Sequence, residues 1–370
     1  MSGAIEARTE RLAAQLRKRE VDVLLVATPI NVRYLTGFTG SNGLALVAAD
    51  LDGATNARDR FFTDFRYTTQ SAEQVASRFE REIVTGGLLQ AAVRSLDGAA
   101  GRFGFDDASV TVADHAALAK ALPQGWELVG CAGAVEHLRA VKDAGEIERM
   151  RASAELADEA LRSVLEDGLV GREEREVAIE LELRMRRLGA EAPSFPSIVA
   201  SGAHGALPHA EPRAKAIERD VLVTIDWGAL HEGYCSDCTR TYATGEGITA
   251  REREIYELVL SAQEAGVQAV AAGLTGREVD AVARSVIEQA GEGERFGHGL
   301  GHGVGMEVHE APRLSRVESE RKLVAGNVVT VEPGVYLPGE LGVRIEDLLV
   351  VRDDAHEVLN GLEKTLTVVS

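Results

Sequence analysis

Four carboxylates and one imidazole in this chain sit where an ionised or metal-ligating group needs a special reason to be. Asp226 ends an apolar run, Val221-Leu-Val-Thr-Ile-Asp226. A charged group there is costly unless it is paired or bound to a metal. After a turn containing His231-Glu-Gly233 the chain returns through Tyr234-Cys-Ser-Asp237-Cys-Thr-Arg240, read as an antiparallel partner strand carrying Asp237. Two inward carboxylates on paired strands repel one another unless a divalent cation lies between them. The plainer alternative is an Asp226 that caps a turn and an Asp237 paired with Arg240. Glu332 closes a second apolar run, Val328-Val-Thr-Val-Glu332-Pro-Gly, and Glu346 is embedded in a third, Gly342-Val-Arg344-Ile-Glu346-Asp-Leu-Leu-Val-Val. In that last run Arg344 and Glu346 share a face of the expected strand, with a local salt bridge between them as the structural alternative.

The imidazole comes from a glycine-rich segment. Six of the nine histidines lie between positions 204 and 309, and Phe296-Gly-His298-Gly-Leu-Gly-His302-Gly-Val-Gly-Met has glycine at every second position. So much glycine argues against helix. An extended chain would put all the glycines on one face and His298, Leu300, His302 and Val304 on the other. At roughly 3.3 Å per residue the two imidazoles would then be about 13 Å apart. One is a candidate ligand and the other a candidate substrate contact; two satisfied polar histidines in a loop is the alternative.

Hard oxygen donors outnumber nitrogen in this set, which suits two divalent ions such as Mn2+ or Co2+ better than a single zinc. Shared carboxylates can hold two such ions about 3.5–4 Å apart and activate a water for hydrolysis.

The elements that must position these residues show an internal repeat. Gly168-Leu-Val-Gly-Arg-Glu-Glu recurs as Gly273-Leu-Thr-Gly-Arg-Glu-Val, 105 residues later. Each copy lies between two expected helices, 143–167 with 172–188 and 250–272 with 276–290, and each is followed by a strand-rich stretch. Shifting Asp226 and Asp237 by 105 gives 331 and 342, close to Glu332 and Glu346. Two related halves would each contribute a carboxylate pair, and the site would lie on the pseudo-twofold seam between them. Residues 1–140 instead alternate helical and strand patterns: a helix near 5–19, strands at 21–27 and 44–48, a helix after Tyr67, and strands near 80–84 and 101–105. They predict a separate α/β domain, with 141–370 as an α+β domain.

Bulk properties narrow the function. The formal charge is −19, and 141–370 carries 25 Lys+Arg against 42 Asp+Glu where 1–140 carries 15 against 17. Such a field repels nucleic acid and anionic membrane and is compatible with binding cations. Three cysteines, Cys131, Cys235 and Cys238, fit a reducing compartment. The Cys235-Ser-Asp-Cys238 string would turn its sulfurs to opposite faces of a strand, which argues against a shared metal or redox pair. With no leader pattern and no long apolar run, the chain reads as cytoplasmic.

Five segments, in order, resemble the pita-bread metallopeptidases, the family of methionine aminopeptidase, Xaa-Pro aminopeptidase and prolidase. They are Ala206-Leu-Pro-His209-Ala, Ile225-Asp226-Trp-Gly, Ser236-Asp237-Cys-Thr-Arg-Thr, Gly301-His302-Gly-Val-Gly with Val308-His309-Glu, and Val331-Glu332-Pro-Gly followed by Arg344-Ile-Glu346-Asp. Cys238 departs from the commoner methionine. The resemblance implies metal ligation by Asp226, Asp237, His302, Glu332 and Glu346, with Asp237 and Glu346 bridging. It also implies substrate contacts from His209, His298 and His309, a proton shuttle at Glu332 and a supporting Arg344. The metals it implies are two divalent ions, Mn2+ first, with Co2+ or Zn2+ as alternatives. Asn31-Val-Arg-Tyr-Leu-Thr-Gly-Phe-Thr-Gly-Ser and Asp64-Phe-Arg-Tyr67 resemble the creatinase-type N-terminal domain of the Xaa-Pro enzymes. The implied activity is Xaa-Pro aminopeptidase on peptides with proline second, in a homodimer. Xaa-Pro dipeptidase is the alternative, and a metal-free binding module of the same fold is a third reading.

Overall fold

The computed structural model describes residues 2–49, 58–96, 100–317 and 320–370. The chain forms two compact units, Met1–Arg139 and Ala140–Ser370. The first contains α1 (Ser2–Lys18), β1 (Val23–Val26), α2 (Pro29–Thr36), β2 (Gly43–Ala48), β3 (Arg60–Thr63) and α3 (Thr68–Gln74). It continues with β4 (Glu80–Ile83), α4 (Leu88–Arg94), β5 (Gly101–Phe105), α5 (Val112–Ala121), β6 (Trp126–Gly130) and α6 (Glu136–Arg139). Its strands form one mixed sheet, β4-β3-β2-β1-β5-β6, as an α/β pattern requires. Between the strands expected at 21–27 and 44–48 lies a short helix that the sequence pattern does not announce: Pro29 starts α2 with its fixed φ, and Gly37 ends it at φ +85°.

The second unit opens with α7 (Ala144–Glu166) and α8 (Glu174–Leu188), followed by β7 (Ala192–Pro193), β8 (Ile198–Ser201), β9 (Leu222–Trp227), β10 (Ala229–His231), β11 (Tyr234–Cys235) and β12 (Cys238–Ala243). The second half repeats the plan with α9 (Ala250–Ala269) and α10 (Gly276–Gln289). Its strands are β13 (Gly301–Gly303), β14 (Glu310–Leu314), β15 (Val328–Val331), β16 (Gly334–Leu337), β17 (Leu341–Arg344), β18 (Asp347–Val351) and β19 (His356–Val358). All four long helices begin with a capping box: Asp143 with Glu146, Glu173 with Glu176, Thr249 with Glu252, and Thr275 with Glu278. Each box satisfies amides that the first turn leaves free. The repeat read in the sequence therefore marks the turn between the helices of each pair. No helix among the described residues is long and apolar enough to cross a membrane.

Each half packs its helices on an antiparallel strand pair. In the first, β9 lies between β8 and β12, and Trp227 Nε1 donates to the Ala157 carbonyl of α7 at 2.9 Å. In the second, β15 pairs with β18 beneath α9 and α10, where Val259, Val267, Val279, Ala283 and Ile287 are buried. The halves are stitched at the site by a bridge between Thr239 and Glu346, with Glu346 N donating to Thr239 O at 3.0 Å. Thr241 Oγ1 adds a bond to Arg344 O at 2.9 Å.

Two sequence expectations need correction. Asp237 does not lie on a continuous return strand. Ser236 Oγ accepts from Ala229 N at 2.9 Å, so β11 pairs with β10, β12 pairs with β9, and Asp237 falls at the break. The run from Gly342 also divides: β17 pairs with β16 and β18 with β15, which sends Arg344 and Glu346 to different partners. Close approach explains the glycine in β17. A Cβ on Gly342 would overlap the Gly205 carbonyl oxygen in the turn Gly202–Ala206, which leads to His209. Gly342→Ala is expected to destabilise the unit by about 1–3 kcal/mol, the usual range for overpacking. Chemical denaturation checks it, and a variant as stable as the parent would contradict this packing.

Candidate metal centre

Strand ends bring the five predicted ligands to the seam. Asp226 lies near the end of β9 opposite Thr239, and Glu332 follows β15 one residue beyond Val331, whose partner is Asp347. Atoms of Asp237, His302 and Glu346 lie within 4.8 Å of one another. His302 Nε2 is 3.6 Å from Asp237 Oδ2 and 3.3 Å from Glu332 Oε1. Its Nδ1 lies 3.1 Å from Gly303 O. That carbonyl can only accept, so Nδ1 carries a proton and Nε2 faces the carboxylates: in its protonated form it donates to Glu332, and on losing that proton it offers the lone pair that a metal-ligating histidine requires.

The charges do not balance without a cation. Asp226, Asp237, Glu332 and Glu346 converge, and Arg344 is the cation bonded among them, its Nη2 donating to Asp226 Oδ2 at 2.7 Å. Burial and the neighbouring carboxylates push Asp237 and Glu346 well above the ordinary carboxylate range. Burial also raises Asp226, with Arg344 opposing it. Burial likewise works against ionised Glu332, but its hydrogen bond to His302 holds it down at about 2. Burial opposes a charged His302, and Glu332 overcomes it and raises the imidazole. Asp226 Oδ1 is buried and has no hydrogen-bond partner. An orphaned carboxylate oxygen among crowded carboxylates is what metal ligation resolves. The donor set therefore fits divalent cations.

Several supporting residues have a period-two signal that could have found them. Thr239, two after Asp237, donates to Glu346 Oε2 at 2.7 Å, and Thr330, two before Glu332, donates to Glu332 Oε1 at 3.0 Å. Tyr336 had no such signal. Its hydroxyl accepts from Arg344 Nη1 at 3.0 Å and meets His298 Nε2 at 3.0 Å, joining Asp226 to His298 through Arg344. Arg344 thus bonds Asp226 rather than Glu346, and Arg240 pairs with Asp347 rather than Asp237 at 2.7 Å, which removes both local salt-bridge alternatives. Cys235 and Cys238 are buried free thiols whose sulfurs bond separate carbonyls, Met306 O and Glu346 O.

The glycine-rich segment is less regular than expected. Only Gly301–Gly303 is strand, between β14 and β15, and a Cβ on Gly301 or Gly303 would overlap the Thr330 or Ala311 carbonyl. Leu300 and Val304 are fully buried while His298 and His302 take up polar contacts with different partners. His309 stacks edge-on against His302, with ring centroids 4.4 Å apart. His209 is exposed on the turn after Gly202–Ala206, close enough to His309 to lower its pKa, a shift in which burial is the larger cause.

The metallopeptidase family M24 model matches residues 148–353, and the creatinase/prolidase N-terminal domain model matches 8–141. The chain belongs to metallopeptidase family M24, and the two repeated halves are its pita-bread fold. An uncharacterized peptidase of Bacillus subtilis is 42% identical over 97% of this chain and 99% of its own. A solved Xaa-Pro dipeptidase from Bacillus anthracis superposes with a TM-score of 0.91 at 38% identity, over 98% of this chain and 99% of that one. A solved X-Pro aminopeptidase from Thermotoga maritima gives 0.87 at 34%, over 98% and 100%.

Two outcomes are expected. Glu346→Gln should lower divalent-metal affinity by more than the roughly 10–100-fold that loss of a supporting residue costs. The metal-free variant should melt no lower than the parent, because one crowded carboxylate is gone. Calorimetry with and without metal checks both, and an undiminished metal-induced rise in Tm would refute the ligand assignment. Glu174 provides a pH test. Burial opposes its ionisation, but hydrogen bonds from Arg213 and Ser201 hold its carboxyl at about 2, below the ordinary 4.5. Its contribution to stability is full above the unfolded pKa and disappears as pH falls through the folded one. The stability gap between the parent and Glu174→Gln should therefore narrow between pH 4.5 and 2 in urea titrations; a pH-independent gap contradicts it.

Proposed function

We propose that this protein hydrolyses the Xaa-Pro bond at the N-terminus of peptides, with Asp226, Asp237, His302, Glu332 and Glu346 holding two divalent metals, Mn2+ first. Asp237 and Glu346 would be the two carboxylates shared between the ions in this reading. The observation that carries it is the cluster of buried carboxylates around a histidine whose Nε2 is turned inward, on a chain that also has a creatinase/prolidase-type N-terminal domain. The chemistry supplied by the bound metals is Lewis acidity toward the scissile carbonyl and a water.

The protein's own groups do the rest. His309, next to His302 and exposed, is the donor to the carbonyl oxygen as negative charge develops on it. His209 and His298 bind the peptide, and Arg344 holds Asp226 while reaching His298 through Tyr336. Glu332 takes a proton from the attacking water and passes it to the leaving nitrogen. That transfer is essential, because the proline nitrogen, like any amine, cannot depart as an anion. Three buried free cysteines accord with a reducing compartment, and we assign the protein to the cytoplasm.

The solved Xaa-Pro dipeptidase of Bacillus anthracis favours a second reading, cleavage of Xaa-Pro dipeptides only. Manganese-loaded protein is to be assayed on an Xaa-Pro dipeptide and on an Xaa-Pro-Yaa tripeptide. Cleavage of both supports the aminopeptidase; turnover of the dipeptide alone selects the dipeptidase. Replacing His309 by Ala should lower kcat on the accepted substrate roughly 10²–10³-fold, the usual cost of an oxyanion donor. Protein that retains no divalent metal and leaves both peptides intact would sink the proposal.

A further inference from the structure

The segment that carries His298 has a mechanical problem. Glycine at 297, 299, 301 and 303 removes the side chains that would restrict its backbone, and glycine gives up more conformational freedom on ordering than any other residue. Only three of its residues are held in strand. Something else must fix the part from Phe296 to Leu300.

That element is α10. Its buried face carries Val279, Ala283 and Ile287 and, among them, Asp280 and Arg284, which are 0% and 3% exposed. A charged pair on an apolar helix face is expensive, and apolar residues of similar volume often replace one at no loss of stability. This pair bonds the glycine segment. Arg284 Nε and Nη2 donate to Asp280 Oδ2 at 2.7 Å and Oδ1 at 2.8 Å. Arg284 Nη1 donates to Phe296 O at 2.8 Å and Nη2 to His298 O at 2.7 Å, while Asp280 Oδ1 accepts from Leu300 N at 3.0 Å. The guanidinium lies 3.9 Å above the Phe296 ring, whose own edge-on contact with His298 spans 5.1 Å. Three alternate backbone groups, at 296, 298 and 300, are thus gripped along one edge, and the imidazole on the held residue reaches Tyr336.

The first half has a counterpart. Glu174, at the start of α8 and 0% exposed, accepts from Ser201 N and Oγ, from His204 Nδ1 and from the Arg213 backbone and guanidinium. These bonds close the loop 201–213 that carries His209. Each repeated half therefore spends a buried carboxylate and an arginine on the loop bearing a histidine outside the ligand set.

We propose that Asp280 and Arg284 are positioning residues that fix His298 for the reaction by clamping the backbone of the glycine segment. The proposal rests on reading His298 as a residue that contacts the peptide. Arg284→Lys keeps the charge beside Asp280 but loses the fork that spans two carbonyls. It is to be made in the parent and in His298→Ala, with kcat/KM measured on an Xaa-Pro dipeptide. The expected loss is roughly 10-fold in the parent and under about two-fold when His298 is absent, because residues acting through one another are not additive. An equal loss in both backgrounds overturns the proposal, since a general structural role would be indifferent to His298.

A second readout does not depend on catalysis. In zinc-loaded protein labelled at histidine Cε1, the His298 resonance, identified by its absence from His298→Ala, should shift and broaden in Arg284→Lys while that of His302 stays put. An unmoved His298 signal refutes the clamp even in a protein inactive on Xaa-Pro peptides. A moved signal in such a protein keeps the clamp and rejects the substrate reading. Should Arg284→Lys not fold, Asp280→Glu, which displaces the carboxylate and keeps its charge, is carried through the same cycle and the same spectra.

Discussion

The mutual repulsion of four carboxylates around one histidine, two of them buried and two partly buried, is the constraint on which the catalytic unit is built. Loss of solvent opposes ionisation of each carboxylate, and neighbouring carboxylates raise Asp226, Asp237 and Glu346 further, while His302 holds Glu332 down. The backbone opposes that repulsion at the seam between the halves. The Glu346 amide is bonded to the Thr239 carbonyl, and the Thr239 hydroxyl to the Glu346 carboxylate, so a single residue pair ties two sheets and orients a candidate ligand. Arg344 restrains Asp226 from the other side. A cluster held in this way has its electrostatic cost already met by folding before any cation arrives, which is the condition for tight binding of divalent ions by oxygen donors.

The helices bear that load at a distance. Capping boxes define where each long helix starts, and the apolar faces of α9 and α10 bury the strands that end at Glu332 and Glu346. Packing on α7, with Trp227 bonded to its Ala157 carbonyl, does the same for β9 and Asp226. Strand ends suit such ligands, because a residue there leaves the apolar core by one position while its backbone is still fixed by the ladder. Glycine handles the remaining approaches: Gly301, Gly303 and Gly342 admit neighbouring carbonyls where any side chain would collide.

What could be read from the residues follows from the range of the interaction that decides each feature. A carboxylate that ends an apolar run, as Asp226 and Glu332 do, or is embedded in one, as Glu346 is, is a local signal, and all three were visible for that reason. The repeat was visible because both helix pairs share the same turn chemistry. Partners chosen by sheet register were not. Arg344 has a carboxylate two residues away and bonds one 118 positions off, and Arg240 passes over Asp237 for Asp347, because strand pairing rather than sequence separation sets those distances. Asp237 was placed on the wrong kind of element for a similar reason: the hydroxyl of Ser236 captures the Ala229 amide and breaks the return strand in two. In the N-terminal unit α2 was missed because eight residues give too short a hydrophobic period to stand out from coil.

The repeated backbone explains why one site arises and not two. Symmetric halves offer equivalent strand ends, yet the side chains there differ: the first half supplies two aspartates, the second two glutamates, the histidine and the arginine that bonds an aspartate across the seam. Glu332 is held within its own half by His302 and Thr330, whereas Asp226 takes its arginine and Glu346 its threonine from across the seam. One layer out the halves share a device and not a position: Glu174 and Asp280, which the 105-residue offset does not match, each use an arginine to hold a loop bearing a histidine. Duplication of a strand pair gave the geometry, and divergence at a handful of strand ends gave the chemistry. Both loops face the same demand, a histidine held still beside a crowded anionic centre.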